Sequence, residues 1–318
     1  MRNFTFMSIK TAECVTPMHP DKRCDYIADS ILDAYLRGDP KSRCAIEVMG
    51  GHNLVTINGE VTSQARPDIA TLVQTIVGTE FKVITNIVEQ SPEIARGVDT
   101  GGAGDQGIMK GYATADTETM MPREYELARH LAQEIFKQYP YDGKTQVTLE
   151  DGRVTSVVAS FQNAKHDELK KLVASLIDAE NYYINPAGDW SQGGFDADTG
   201  LSGRKLIVDN YGPEITIGGG SFSGKDYTKV DRSAAYMARK IAVDLAHAGA
   251  KEVFTKLAYA IGKPEPVMAV AVVDGKEAVI TGYDLTPRGI REALALDRVT
   301  YSETSTWGHF GRGFSWDK

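Results

Sequence analysis

Between Gly218 and Lys240 the chain reads GGGSFSGKDYTKVDRSAAYMARK. Glycines, two lysines (Lys225, Lys229) and two aspartates (Asp226, Asp231) stand just ahead of an amphipathic helical pattern. The start of a helix offers unpaired N–H groups and a partial positive charge, so it suits a phosphate. Lysines strengthen that attraction and aspartates weaken it. A carboxylate beside polyphosphate makes physical sense chiefly when a divalent cation lies between them. The chemistry implied is a magnesium-assisted triphosphate site. A solvated loop with an ordinary helix cap fits the same residues, and this segment alone leaves both readings open.

Two familiar phosphate motifs fail. Gly219 to Asp226 is one residue away from a Walker A loop, but Asp226 stands where that loop needs a Ser or Thr hydroxyl for its metal. GAGDQG at 102–107 has G-x-G-x-x-G spacing, yet IMKGYAT follows it without the helical pattern that a dinucleotide fingerprint requires. A second charged constellation lies at His19-Pro20-Asp21-Lys22. Proline suits the first helical turn there, and Ile27, Ile31, Leu32 and Tyr35 share one face of the helix that follows.

Those residues need a scaffold, and 318 residues are enough for two or three domains. A hairpin followed by a helix recurs three times. Cys44 to Ser63 alternates around Gly50-Gly51, and Asp68 to Val77 reads as a helix. Gln146 to Ser160 turns at Asp151-Gly152, ahead of a helical stretch from Asp167 to Ala179. Lys256 to Gly282 turns near Asp274-Gly275, ahead of a helix over Pro287 to Leu296. Three such units predict an α+β protein of three similar domains, each packing helices on one sheet face. The boundaries are expected near 1–98, 99–193 and 194–318, with interleaving in space allowed.

The composition is 42% hydrophobic and 25% charged, with a net charge of -8, which argues against a general nucleic-acid binder. Apolar runs are too short for a membrane span, and MRNFTFMSIK lacks the long apolar core of a secretory signal. Cys14, Cys24 and Cys44 form no C-x-x-C pair and read as reduced thiols, so a cytoplasmic protein is expected.

The chain resembles the S-adenosylmethionine synthetase (methionine adenosyltransferase) family, in order and along essentially its whole length. The resemblance is carried by HPDK at 19–22, NGEVTS at 58–63, QSPEI at 90–94, GAGDQGIMKGYAT at 102–114 and KTQVT at 144–148. It continues through YINPAG at 183–188, GLSGRKLIVDNYG at 200–212, GGGSFSGKDYTKVDRSAAY at 218–236 and GHFGR at 308–312. It implies three α+β domains related by pseudo-threefold symmetry, and a homodimer, or a tetramer of two dimers, with active sites built from both chains. It also implies a reaction in which the sulfur of L-methionine attacks C5′ of ATP. The triphosphate so released is hydrolysed to pyrophosphate and phosphate.

Carried over position by position, the resemblance implies catalytic roles for His19, Lys144, Arg204, Lys225 and Lys229. ATP would be held by His19, Lys22, Asp142, Gly143, Lys144, Asp189, Trp190, Asp198, Arg204, Lys205, Ser221 and Lys225. Methionine would meet Glu60, Gln90, Asp105, Asp198 and Lys229. Asp21 and Asp231 would ligate Mg²⁺, two ions per site, and Glu47 would ligate K⁺.

The chain departs from the family pattern in four places. Met18 replaces the usual glycine before HPDK. Asp189-Trp190 stands for a basic residue and a phenylalanine that stacks on adenine. The loop before GAGDQG is short, and the segment between Gly282 and Thr300 is abbreviated. A shorter loop predicts a less completely covered site, with tolerance of larger S-alkyl analogues. Two other functions share these residues: a Mg²⁺-dependent tripolyphosphatase, and a catalytically weakened nucleotide-binding regulator.

Overall fold

The computed structural model describes residues 8–91 and 101–318. Twelve strands in these residues form three four-stranded sheets, in orders β4-β3-β2-β9, β8-β7-β6-β1 and β12-β11-β10-β5. The strands are β1 (Ile9–Val15), β2 (Arg43–Gly51), β3 (Leu54–Thr62), β4 (Lys82–Val88), β5 (Gly107–Thr114), β6 (Gly143–Glu150), β7 (Arg153–Phe161), β8 (Asn181–Ile184), β9 (Gly200–Leu201), β10 (Glu252–Tyr259), β11 (Met268–Val273) and β12 (Lys276–Val279). The helices are α1 (Pro20–Gly38), α2 (Ile69–Val77), α3 (Arg123–Gln138), α4 (His166–Leu176), α5 (Leu206–Asp209), α6 (Val230–His247), α7 (Pro287–Leu294) and α8 (Tyr301–Thr304).

One unit recurs three times as strand, long helix, hairpin: β1-α1-β2β3, β5-α3-β6β7 and β9-α6-β10β11. Each unit lends its first strand, antiparallel, to another unit's hairpin: β1 to β6, β5 to β10 and β9 to β2. The three units are therefore laced together by backbone hydrogen bonds. A long helix covers one face of each sheet with apolar side chains. These include Ile27 and Ile31 from α1, Leu131 and Ile135 from α3, and Val230 and Ile241 from α6.

The recurrent hairpin-plus-helix pattern is borne out. The expected turns fall at His52-Asn53 between β2 and β3, at Asp151-Gly152 between β6 and β7, and at Asp274-Gly275 between β11 and β12, and both residues of each have positive φ. That is the backbone of a two-residue turn matched to strand twist. The first tip lies two residues beyond the expected Gly50-Gly51, because β2 runs straight through those glycines. The third unit differs in the strand after its hairpin. In the first two, α2 and α4 lead to parallel strands β4 and β8. In the third, β12 returns antiparallel directly after Asp274-Gly275, and α7 follows it.

Asp68 caps α2 by accepting from Thr71 N–H at 3.1 Å. GAGDQG leads into strand β5, which agrees with rejecting a dinucleotide loop. The three cysteines are free and buried, and burial pushes the Cys14 thiol up to about 12. Among the described residues, no helix is long and apolar enough to cross a membrane. Much of the short loop before Gly102, and the end of QSPEI, lies outside the described residues.

Candidate active site

His19 is the cap residue of α1, with Pro20 in the first turn. Its Nδ1 accepts from Asp21 N–H at 3.1 Å, so the neutral ring carries its proton on Nε2. Burial, then the Lys205 and Lys144 charges, lower its pKa to about 3, against the pull of Asp21. The imidazole is thus a neutral N–H donor. Asp21 is buried at the centre of a basic group. Lys205 Nζ lies 2.5 Å and Arg204 Nε 3.2 Å from its oxygens, and Leu201 N–H donates to it at 2.9 Å. Burial opposes its charge, but the Lys205 and Leu201 hydrogen bonds win and hold its pKa below the usual carboxylate value. Close approach requires glycine at 200, where a Cβ would meet the Pro20 carbonyl at 2.2 Å.

Lys22 faces inward. It is buried between Asp25 at 3.1 Å and Asp209 at 2.5 Å. Burial works against its charge, but the two carboxylates outweigh it and raise its pKa. Met18 lies outside the left-handed backbone region, so the position does not demand the glycine it replaces.

The second group surrounds the start of α6. Lys229 occupies the cap position without a side-chain bond to the helix amides. Lys225 Nζ is 2.8 Å from Asp231 in the first turn, and Lys229 Nζ is 2.6 Å from Asp226. Asp226 is wholly buried and also accepts from Cys44 N–H and Thr228 N–H. It fastens the loop to β2 and holds Lys229 in place. Asp231 packs against Gly220 and Gly107, the entry to β5. Ser221 touches Gly203, which brings the 203–205 turn beside the glycine loop and joins the two helix ends.

Asp142, Gly143 and Lys144 lie at the start of β6. Asp142 Oδ2 accepts from Gly194 N–H at 3.0 Å, while burial raises its pKa and Lys144 opposes the rise. Trp190 donates from Nε1 to Ser160 Oγ at 3.2 Å, which fixes the indole plane. Asp189 is turned to local work, accepting from His166 N–H at the start of α4 at 2.9 Å. Asp198 is exposed and accepts from Thr199 N–H at 2.8 Å.

Glu47 and Glu60 lie on one face of the β2-β3 ladder, since Glu47 opposes Asn58. Glu47 accepts a short 2.5 Å hydrogen bond from Ser202 Oγ. Burial raises its pKa, against Ser202 and Lys225. Gln90 follows β4, whereas Asp105 leads into β5 of a different sheet. Among the described residues, buried side-chain atoms without a hydrogen-bond partner include Gln90 Oε1, Asp142 Oδ1 and Ser221 Oγ. Such atoms are rare in folded proteins and carry an energetic cost of about 1–3 kcal/mol each.

The structure adds residues that the sequence reading passed over. Asp21, Asp25, Asp29 and Asp33 form a buried column along α1, at the four-residue spacing that places them on one face. Together they fasten three segments: Asp21 holds Leu201 N–H and Asp25 holds Gly203 N–H of one turn, Asp29 holds Gly224 N–H, and Asp33 holds Tyr301 N–H. The spacing was the available signal. Three of these carboxylates fell outside the recognised motifs.

Three family models match in sequence order: the N-terminal, central and C-terminal domains of S-adenosylmethionine synthetase, over residues 7–92, 100–190 and 192–318. The chain is 39% identical to an S-adenosylmethionine synthase of Brachyspira hyodysenteriae, covering 100% of this chain and 96% of that protein. It is 40% identical to one of Mycoplasmopsis pulmonis, covering 97% and 95%. A solved structure described as an unusual S-adenosylmethionine synthetase from Campylobacter jejuni superposes with a TM-score of 0.87 at 32% identity, over 98% of this chain and 97% of that one. With identity and fold agreeing over essentially the whole length, the chain belongs to the S-adenosylmethionine synthetase family.

Proposed function

We propose that the chain forms S-adenosyl-L-methionine from ATP and L-methionine. The thioether sulfur attacks C5′, the C5′–O5′ bond breaks, and the triphosphate leaves and is then hydrolysed to pyrophosphate and phosphate. The observation that carries this reading is that buried atoms of Gln90, Asp142 and Ser221 have no partner among the described residues. All three residues were assigned to substrate from the sequence, and polar groups buried in this way ordinarily find a partner.

A neutral sulfur needs no enzyme base. The protein's task is to align sulfur, C5′ and the leaving oxygen, and orientation supplies on the order of 7–11 kcal/mol in such reactions. In this reading His19 donates from Nε2 to O5′ as charge grows there, its Nδ1 being engaged by Asp21 N–H. Lys144, Arg204, Lys205 and Lys225 neutralise the phosphates, Arg204 through its planar fork. Trp190, held edge-on by Ser160, offers a face to adenine. Asp142, Gly143, Asp189 and Asp198 line the nucleotide's path. Glu60, Gln90, Asp105 and Asp198 receive the amino acid, with Lys229 for its carboxylate. Lys22 supports the site from below, as the cation that keeps Asp25 and Asp209 in place.

Among the described residues, no three His, Cys, Asp or Glu side chains converge on a metal. That fits Mg²⁺, which is usually bound by one or two carboxylates plus substrate phosphates. Asp21 and Asp231 would hold two such ions, which supply charge neutralisation at the leaving triphosphate. Glu47 would hold K⁺. We assign a homodimer, or a pair of dimers, on the exposed apolar residues Met49, Ile84, Val88 and Leu201 of the sheet that carries Glu47 and Glu60. Sedimentation as a monomer at micromolar concentration would remove that assignment.

The test is incubation of the purified chain with ATP, L-methionine, Mg²⁺ and K⁺, with mass spectrometry of the products. Sulfonium product together with pyrophosphate and phosphate is expected. Phosphate released from tripolyphosphate without any sulfonium product would establish the phosphatase instead, and nucleotide binding without turnover the regulator.

A further inference from the structure

In the first turn of α6, Arg232 is completely buried, yet every donor of its guanidinium is used. It meets Asp29 of α1 as a fork, Nη1 to Oδ1 at 2.7 Å and Nη2 to Oδ2 at 2.9 Å. Nη1 also donates to the main-chain carbonyls of Phe222 and Lys225, each at 3.0 Å. Nη2 donates to Thr304 Oγ1 at 2.9 Å, and Nε to the Tyr236 hydroxyl at 3.0 Å. The Tyr301 ring lies against the guanidinium, 4.4 Å from its carbon to the ring centroid. Burial works against the charge of Arg232, but Asp29 outweighs it and holds the group cationic.

A buried ion pair is seldom a net source of stability when compared with apolar packing. Its effect here is geometric. Asp29 Oδ1 also accepts from Gly224 N–H at 2.8 Å, so one ion pair grips the 222–225 turn at three main-chain points. From the other side, Ile46 N–H donates to the Gly224 carbonyl at 3.1 Å. Gly224 has φ of +82°, and a Cβ there would lie 2.1 Å from the Ile46 carbonyl oxygen, so the turn has no room to shift toward β2. Behind Arg232, the Tyr236 hydroxyl accepts from Nε and shares a hydrogen bond of 2.8 Å with His309 Nδ1. Burial and the Arg232 charge keep His309 neutral, far below its ordinary pKa, so this arrangement does not change with pH in the working range.

We propose that the Asp29–Arg232 pair is a positioning device for Lys225: by fixing the carbonyls on either side of Gly224, it sets the direction from which the Lys225 ammonium meets the triphosphate. The inference rests on the phosphate role given to Lys225 above. Arg232 itself touches no substrate and acts only through the turn.

A kinetic double-mutant cycle tests it. Arg232→Lys keeps the charge, but it cannot hold both Asp29 oxygens and both carbonyls at once. In the otherwise native chain it is expected to lower kcat by about 10- to 100-fold, the size of effect that a displaced catalytic group produces, with KM values nearly unchanged. In a Lys225→Met background the same change should alter kcat less than about twofold, because nothing remains to be positioned. Equal losses in both backgrounds would mean a merely structural role and would overturn the proposal, as would an unchanged kcat in the native background. Full activity of Lys225→Met alone would instead defeat the role assigned to Lys225, and the positioning claim with it. Should Arg232→Lys not fold, Tyr236→Phe leaves the Asp29 fork and both carbonyl contacts in place and removes the Nε acceptor together with the bond to His309. It is expected to give a smaller loss that likewise vanishes with Lys225→Met, and an additive loss overturns the proposal.

Discussion

At the start of α1 an imidazole closes the first amides of the helix, whereas at the start of α6 a lysine holds the cap position and makes no side-chain bond to the amides below it. Both ends carry the same partial positive charge. The first spends a helix N–H on aiming His19, so the useful donor becomes the Nε2–H on the far side of the ring. The second gathers two lysines around its first turn, Lys225 on Asp231 and Lys229 on Asp226. Each carboxylate is already surrounded by cations: Asp21 by Lys205 and Arg204, Asp231 by Lys225. In the proposed reaction one end places a single hydrogen and the other receives distributed negative charge.

The comparison is most easily broken at α6. Asp231→Asn or Lys225→Met is expected to lower kcat by about 10²- to 10³-fold, the usual cost of removing a preorganised group from a developing charge. The readout is sulfonium formation by mass spectrometry, and turnover within a few-fold of native would show that this end does not receive the leaving group.

At α1, His19→Asn separates the cap from the donor. Asparagine still accepts from a helix amide, but it cannot reproduce an N–H in the place of Nε2. A loss of about 10²-fold in kcat with a nearly unchanged melting temperature is expected. His19→Ala should add about 1 kcal/mol of destabilisation through loss of the cap. Equal activity of His19→Asn and the native chain would leave His19 as a cap only.

The pH dependence sharpens the same point. Native His19 stays neutral down to a pKa of about 3, whereas the unfolded residue takes up a proton near 6.5. Between those values the unfolded state binds more protons, so this residue makes stability rise with pH and contributes no further slope above 6.5. Urea unfolding of the native chain and of His19→Asn should therefore diverge as pH falls below 6.5. Parallel curves down to pH 4 would show that the ring is not held neutral. The smallest effect is expected remote from both helix ends: Asp68→Ala removes the α2 cap and should cost about 1 kcal/mol with kcat unchanged.

Much of the scaffold was legible because hairpins and amphipathic helices announce themselves locally. Asp151-Gly152 and Asp274-Gly275 are turns by their residue types, and HPDK opens α1 through Pro20. Other elements escaped. Helix α3 shows Tyr125, Ala128, Leu131, Ala132 and Ile135 at helical spacing, yet it contains no recognised motif. Strands β1, β5 and β9 were harder, because each pairs with a hairpin far away in sequence and β9 is only two residues long.

What the sequence determined by itself is the chemistry: which cations, carboxylates and polar groups exist, in family order, and which helices they open. Those are short-range properties of residue type and spacing. Only the tertiary structure decided that Lys22 turns inward to Asp25 and Asp209, that Asp189 caps α4, and that the aspartate column of α1 gathers loops from positions 201 to 302. Each of those outcomes depends on a partner more than twenty residues distant. The strand exchange that brings such partners together leaves no periodic trace in any one segment.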